Sequence, residues 1–325
     1  MVLMAKSVLI VGGTGFIGSH AALKFLEKGY KVTTLSMTPP KNGLLPKEVD
    51  VITNNIDKMD PEGLCKLLKR QYAVVYAAGA DDRVTPPKPA NKYFYQKNVI
   101  STVNFFTLAK EAGVKRGVLL SSYFAYFDAL WPNMALSKHH PYIKSRLYQE
   151  KQALIATKPE LELMILQLPY IFGSAVGMTP LWKPLIQYIK KTPWIFYTKG
   201  GTNMISVEHV AEAIVGAIEN GKAGKKYVIG DQNLTWHEFL GELSLIACGK
   251  KKRIITIPNF LAKLSMSCVK LKHSIKGREG GLDMVKYVDL QTKNTFFDPG
   301  PERIELGYGS GGLTEAFKQT IKASK

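Results

Sequence analysis

The stretch Val8-Leu9-Ile10-Val11-Gly12-Gly13-Thr14-Gly15-Phe16-Ile17-Gly18 limits what this chain can fold into more than any other. A β-branched apolar run feeds straight into glycines at 12, 15 and 18, and Ala21, Ala22, Phe25 and Leu26 then recur at helical spacing as far as Gly29. The order is strand, tight turn, helix. Gly12 permits the turn, Gly15 lets backbone approach an anion, and Gly18 lets helix and strand pack closely. The helix N-terminus points its free N–H groups and positive dipole end at the same spot, which makes the segment a cradle for a pyrophosphate. Gly13, Thr14, Phe16 and Ile17 fall inside it and count as candidate cofactor contacts.

The following segments repeat the rhythm. Lys31–Leu35 reads as a second strand, and Ser36 stands where an NAD site carries an acid for the ribose 2′-hydroxyl. With no carboxylate to repel a 2′-phosphate, the expected cofactor is NADP or NAD, with Ser36 favouring NADP. A third strand spans 49–53, and Asp60-Pro61-Glu62 supplies an N-cap, a first-turn proline and an acid for a helix. Ala73–Tyr76 is a short apolar strand running into Ala77, Ala78 and Gly79, small enough for backbone to pass under a cofactor. Asn98, Val99, Thr102, Val103, Phe106 and Ala109 share one helical face, and 117–122 is a strand ending in Ser121 and Ser122. Strands alternating with helices imply an α/β Rossmann fold, a doubly wound parallel sheet with ligands at the carboxyl ends of its strands.

Pro141 opens a helix in which Tyr142 and Arg146, four residues apart, share a face. A fixed cation and a helix N-terminus both favour a phenolate, so a lowered Tyr142 pKa is expected. His139 or His140, just before this helix, could carry a second proton. Asp81, Asp82 and Arg83 follow the strand that ends at Gly79 and could grip a polar substrate; Tyr123 and Trp182 are further substrate-side candidates.

Composition excludes several classes. No apolar run reaches the length of a membrane span, and Met1–Lys6 lacks the features of a secretion leader. Cys65, Cys248 and Cys268 are far apart and odd in number, which fits a reducing cytoplasm, and no His, Cys and carboxylate spacing suggests a metal. The net charge of +18 favours anionic partners in general. It is concentrated from Lys250 to Arg278, where cations run with no acid. Within that run, 259–271 is apolar with interspersed lysines and is expected to be an ordinary lobe helix. The partners expected are a small-molecule substrate and a second copy of the chain, with neither nucleic acid nor a membrane.

Taken together, the glycine cradle, Asp57 before Asp60-Pro61-Glu62, Ala77-Ala78-Gly79, Asn98-Val99, Ser121-Ser122, Tyr142 with Ser145, Leu168-Pro169-Tyr170-Ile171-Phe172-Gly173 and Ile205-Ser206-Val207-Glu208-His209-Val210-Ala211 resemble the extended short-chain dehydrogenase/reductase family. The likeness is to its epimerase/dehydratase and dihydroflavonol-reductase-like branches. It implies that Ser122 hydrogen-bonds a substrate carbonyl or hydroxyl, that Tyr142 is a general acid/base, and that a nicotinamide passes a hydride. It also implies that Asp57 contacts the adenine, that Asn98 and Pro169 border the cofactor, and that helices near 94–111 and 142–158 form a homodimer. Residues 1–172 and 203–232 would be the dinucleotide-binding domain, with 173–202 and 233–325 a smaller substrate-binding lobe. Arg146 departs from the pattern, which has lysine there. Arginine keeps the charge but is never deprotonated. The expected activity is oxidoreduction, epimerisation or dehydration of a secondary alcohol or ketone, either a nucleotide sugar or a small apolar ketone. The alternative is a weak or inactive member of the same fold that binds a nucleotide as a sensor or scaffold.

Overall fold

The computed structural model describes residues 6–325. The leader reading of Met1–Lys6 therefore falls, for residues 1–5, outside the described residues. In chain order the strands are β1 (Ser7–Val11), β2 (Lys31–Ser36), β3 (Asp50–Thr53), β4 (Ala73–Tyr76), β5 (Arg116–Ser122), β6 (Glu162–Leu168), β7 (Tyr170–Phe172), β8 (Ile195–Tyr197), β9 (Gly201–Ser206), β10 (Lys226–Val228), β11 (Gln232–Thr235), β12 (Ile254–Thr256) and β13 (Asn294–Thr295).

Seven of these form one sheet in the order β10-β6-β5-β4-β1-β2-β3, and every neighbouring pair is parallel. Both faces are covered, so its central strands are apolar throughout rather than alternating. Helices Phe16–Glu27 and Val207–Asn220 cover one face through Ala22, Phe25, Val210 and Ile214. Helices Pro61–Leu68, Ser101–Glu111 and Pro141–Thr157 cover the other through Leu68, Phe106 and Ala153. The strand order reverses between β1 and β4, and a ligand crevice opens beyond the carboxyl ends at such a switch point. This is the Rossmann-type α/β sheet expected.

A second sheet joins β9 to β7, β11 and β13, and β8 pairs with β12. It packs around Phe172, Trp236, Phe239 and Phe317. The division at 172 and 203 runs through this sheet: β7, on the dinucleotide side, pairs with β9, which the division cuts. Thr235 and Glu238 form a capping box that starts helix Trp236–Cys248. The helix read over 98–109 begins earlier, at Ala90, and passes through a π-helical stretch, Tyr95–Ile100, that contains Asn98. Among the described residues no helix is long and apolar enough to cross a membrane.

Candidate active site

The glycine turn has no room for side chains. Gly12 lies at φ +84°, and a Cβ there would sit 2.8 Å from the Ala77 carbonyl oxygen, so β1 and β4 approach closely only because the residue is glycine. A Cβ on Gly18 would fall 2.2 Å from the Gly12 oxygen, which seats helix Phe16–Glu27 directly on the turn. The Gly15 N–H donates to the Gly12 carbonyl at 2.9 Å. Above the turn is a cleft of about 290 Å³ lined by Gly15, Phe16, Ile17, Ala77, Arg83 and Trp182, among others. Its floor of backbone amides at a helix start suits a dinucleotide's phosphates, so the residues present fit the cofactor.

Ser36 is buried, and its Oγ accepts the Thr14 N–H at 3.0 Å; Thr14 Oγ1 donates to the Thr38 carbonyl at 3.0 Å. The end of β2 thus braces the glycine turn with a neutral hydroxyl. Lys41 packs its stem against Gly177, where a Cβ would come within 2.8 Å of it.

On the far side of β4, Gly79 lies at φ +139°, and a Cβ on it would be 2.8 Å from Asn98 Oδ1 and 3.7 Å from Arg146 Nη1. Asn98 is fully buried. Its Oδ1 accepts the Ala80 N–H at 2.7 Å, and its Nδ2 donates to the Ala80 carbonyl and to Ser145 Oγ, each at 3.1 Å. Its amide therefore ties the loop after β4 to the Tyr142 helix. Asp57 meets Lys97 Nζ at 2.9 Å. Burial would raise its carboxyl, but the Ser101 hydroxyl and the Lys97 ammonium outweigh that and hold it below the usual carboxylate range. Pro169 is buried directly after β6.

Ser122 ends β5, with its Oγ accepting the Phe124 N–H at 3.3 Å. Tyr142 is the second residue of its helix, and its N–H donates to the Gly281 carbonyl at 2.9 Å. The Arg146 guanidinium lies over the Tyr142 ring, 5.1 Å from the centroid. Arg146 is itself buried: Nη1 donates to Gln149 Oε1 at 2.7 Å and to the Leu120 carbonyl at 3.4 Å, while Nε has no partner among the described residues. The expected lowering of Tyr142 is corrected here. Burial pushes its hydroxyl above the ordinary value; Arg146 and Ser122 pull it down and Asp82 pushes it up, and burial prevails.

The charged trio divides. Arg83 pairs with Asp81 near the surface and lines the cleft. Asp82 is half-buried, and its carboxyl is raised by burial and then by Asp81, against the pull of Arg83 and Arg146. His140 is buried, and its Nδ1 accepts the Asp283 N–H at 2.9 Å; burial lowers it to about 4, so it is a neutral brace near neutral pH.

Tyr123 is buried with its hydroxyl 2.8 Å from Thr202 Oγ1, and Trp182 Nε1 donates to the Ile171 carbonyl at 3.0 Å while its ring stacks on Phe172. Sequence reasoning missed Tyr287. Its hydroxyl meets that of Tyr170 at 2.7 Å, and its ring meets Phe124 edge-on. The N-cap Asp283 announces its helix, but nothing in the spacing says that the helix returns to Tyr170 and Phe124. Among the described residues no three His, Cys, Asp or Glu are grouped to hold a metal ion.

Comparison with known proteins agrees with this fold. The chain is 24% identical over 337 residues to a Synechocystis sp. protein that carries the provisional name dihydroflavonol 4-reductase, covering 98% of this chain and 94% of that one. It is 25% identical to UDP-glucose 4-epimerase of Vibrio cholerae, covering 98% and 96%. The crystal structure of a nucleoside-diphosphate-sugar epimerase from Pseudomonas aeruginosa superposes with a TM-score of 0.73 at 16% identity, covering 98% and 97%. Residues 8–230 match the NAD dependent epimerase/dehydratase family. With that match spanning the whole seven-stranded sheet, the chain belongs to the NAD dependent epimerase/dehydratase family.

Proposed function

We propose that the chain is an NAD(P)-dependent oxidoreductase or epimerase/dehydratase acting on a secondary alcohol or ketone. The observation that carries this reading is Arg146 stacked 5.1 Å over Tyr142, with Ser122 at the end of β5 and the glycine cleft at the neighbouring switch point. A bound nicotinamide supplies the hydride acceptor or donor. Ser122 hydrogen-bonds the substrate oxygen, and Tyr142 takes or returns the proton on that oxygen. Arg146 opposes the cost of a buried phenolate by its charge alone, because a guanidinium passes on no proton.

Several further points belong to the proposal. Arg83 and Trp182, at the cleft, and Asp82 and Tyr123, beside Tyr142, would meet substrate. NADP is accepted alongside NAD because the buried hydroxyl of Ser36 is neutral. The aromatic surround of Tyr123, Tyr170 and Tyr287 suits a sugar or another ring, and the names of the relatives support both readings, a nucleotide sugar from the UDP-glucose 4-epimerases and an apolar ring ketone from the sterol-4-alpha-carboxylate 3-dehydrogenases. A homodimer through helices near 94–111 and 142–158 is supported by the exposed Tyr95, Tyr148 and Ile155. A second reading, cofactor binding without turnover, is favoured by Arg146 itself, which Gln149 holds and which cannot relay a proton.

The test is Tyr142→Phe assayed across alcohols, ketones and nucleotide sugars. Turnover should fall by about 10²–10⁴-fold with cofactor affinity nearly unchanged. Equal turnover would remove Tyr142 from the chemistry, and bound cofactor with no turnover by the wild type on any of these substrates would favour the second reading.

A further inference from the structure

Helix Asn259–Ile275 is the one place where the structure departs sharply from an ordinary lobe helix. Of its 17 residues only Ala262 is buried. Phe260, Leu264, Leu271 and Ile275 are 69%, 63%, 62% and 79% exposed. At 100° per residue these four fall within about 60° of one another, so they form a single outward stripe about 22 Å long. Leu261 and the exposed Cys268 widen it on one side.

Cations flank the stripe on both sides. Lys263 and Lys270 lie along one border, where they pair with Asp289 at 2.6 Å and Asp283 at 2.5 Å and so fasten the helix to helix Met284–Gln291. Lys272 and Lys276 lie along the other border and are exposed. From Lys250 to Arg278 there is no acidic residue. An apolar stripe bordered by lysines, with no acid in the segment, complements an anionic bilayer surface: the stripe enters the acyl boundary and the ammonium groups stay at headgroup level. A second copy of the chain fits poorly, because it would press Lys272 and Lys276 of two strongly cationic molecules together.

We propose that helix Asn259–Ile275 seats the protein on an anionic membrane surface without crossing it. The seat is tied to the loop after β4 and to the Tyr142 helix. Lys88 Nζ meets Ser274 Oγ at 2.5 Å, Arg278 Nη1 donates to the Thr85 carbonyl at 3.0 Å, and Gly281, six residues beyond the helix, accepts the Tyr142 N–H. The proposal stands apart from the catalytic reading, since it needs neither cofactor nor turnover.

The test is sedimentation of the full chain with vesicles of phosphatidylcholine, with and without phosphatidylglycerol, at low and physiological salt. The wild type should bind the phosphatidylglycerol vesicles and bind phosphatidylcholine alone at least ~10-fold more weakly. A combined Phe260→Ser, Leu264→Ser, Leu271→Ser and Ile275→Ser variant changes only exposed positions and should keep its thermal transition, yet lose at least ~10-fold in vesicle affinity. Lys272→Glu with Lys276→Glu should erase the preference for anionic lipid. In a Phe260→Trp variant, brominated lipid should quench the indole. Three results would overturn the proposal: no binding at low salt, binding untouched by the serine variant, or self-association abolished by that variant with no vesicle binding.

Discussion

The turn after β1 takes its shape from seven consecutive residues, Gly12 to Gly18, whereas the ground around Tyr142 is assembled from segments near residues 82, 94, 122, 146 and 281. The first is a backbone device. Its specificity lies in what glycine lacks, and a Cβ at Gly12 or Gly18 meets carbonyl oxygen at 2.8 or 2.2 Å. The second is a side-chain device, in which burial, a cation and a carboxyl contend over one hydroxyl. A backbone site should fail outright when a single atom is added. A side-chain site should degrade by degrees.

The largest effect should come from Gly18→Val, where a Cβ 2.2 Å from backbone oxygen cannot be relieved by a rotamer change. Dinucleotide binding should fall below detection in calorimetry, and retained affinity would break the contrast. At Arg146 the response should be graded: Arg146→Met removes the charge over the phenol and should cost about 10–100-fold in turnover, whereas Arg146→Lys should restore most of it. If Met and Lys variants behave alike, the guanidinium does not support Tyr142.

A smaller effect is expected at Ser36, at the end of β2 beside the glycine turn. If Ser36 faces the ribose as proposed, Ser36→Asp should shift the ratio of NAD to NADP affinity by about 10-fold toward NAD. An unchanged ratio in competition titrations would show that Ser36 does not face the ribose.

The last effect is on stability rather than on binding or turnover. His140 falls from an unfolded value near 6.5 to about 4 in the fold, so the unfolded chain binds the extra proton first. The stability that His140 contributes is complete above pH 6.5 and is lost as pH falls toward 4, by on the order of 3 kcal/mol at most. His140→Gln keeps an acceptor for the Asp283 N–H and should flatten this part of the pH–melting profile. A profile as steep as the wild type's would assign the loss to other groups.

The same contrast decides what could be read beforehand. The cradle and the alternation of strands with helices are local patterns, and the sheet forms where they point. That Tyr142 and Arg146 share a face could be read from their spacing, and Ser122 came from the family resemblance; the fold puts both Arg146 and Ser122 beside the Tyr142 hydroxyl. The direction of the Tyr142 shift could not be read, because burial depends on Phe94 and Gly281, which arrive from distant segments. That Asn98 ties Ala80 to Ser145 could not be read beforehand, because only the fold brings those partners to its amide. Helix Asn259–Ile275 looked like a packed lobe helix because an apolar stripe reads the same whether protein or solvent covers it.

The measurement closest to the central claim is a titration of the purified chain with NADH and NADPH, followed by energy transfer from tryptophan, since Trp182 lines the glycine cleft. Saturable transfer at one dinucleotide per chain, absent from Gly12→Val, is the result expected. A correctly folded wild-type protein that binds neither dinucleotide would contradict the account.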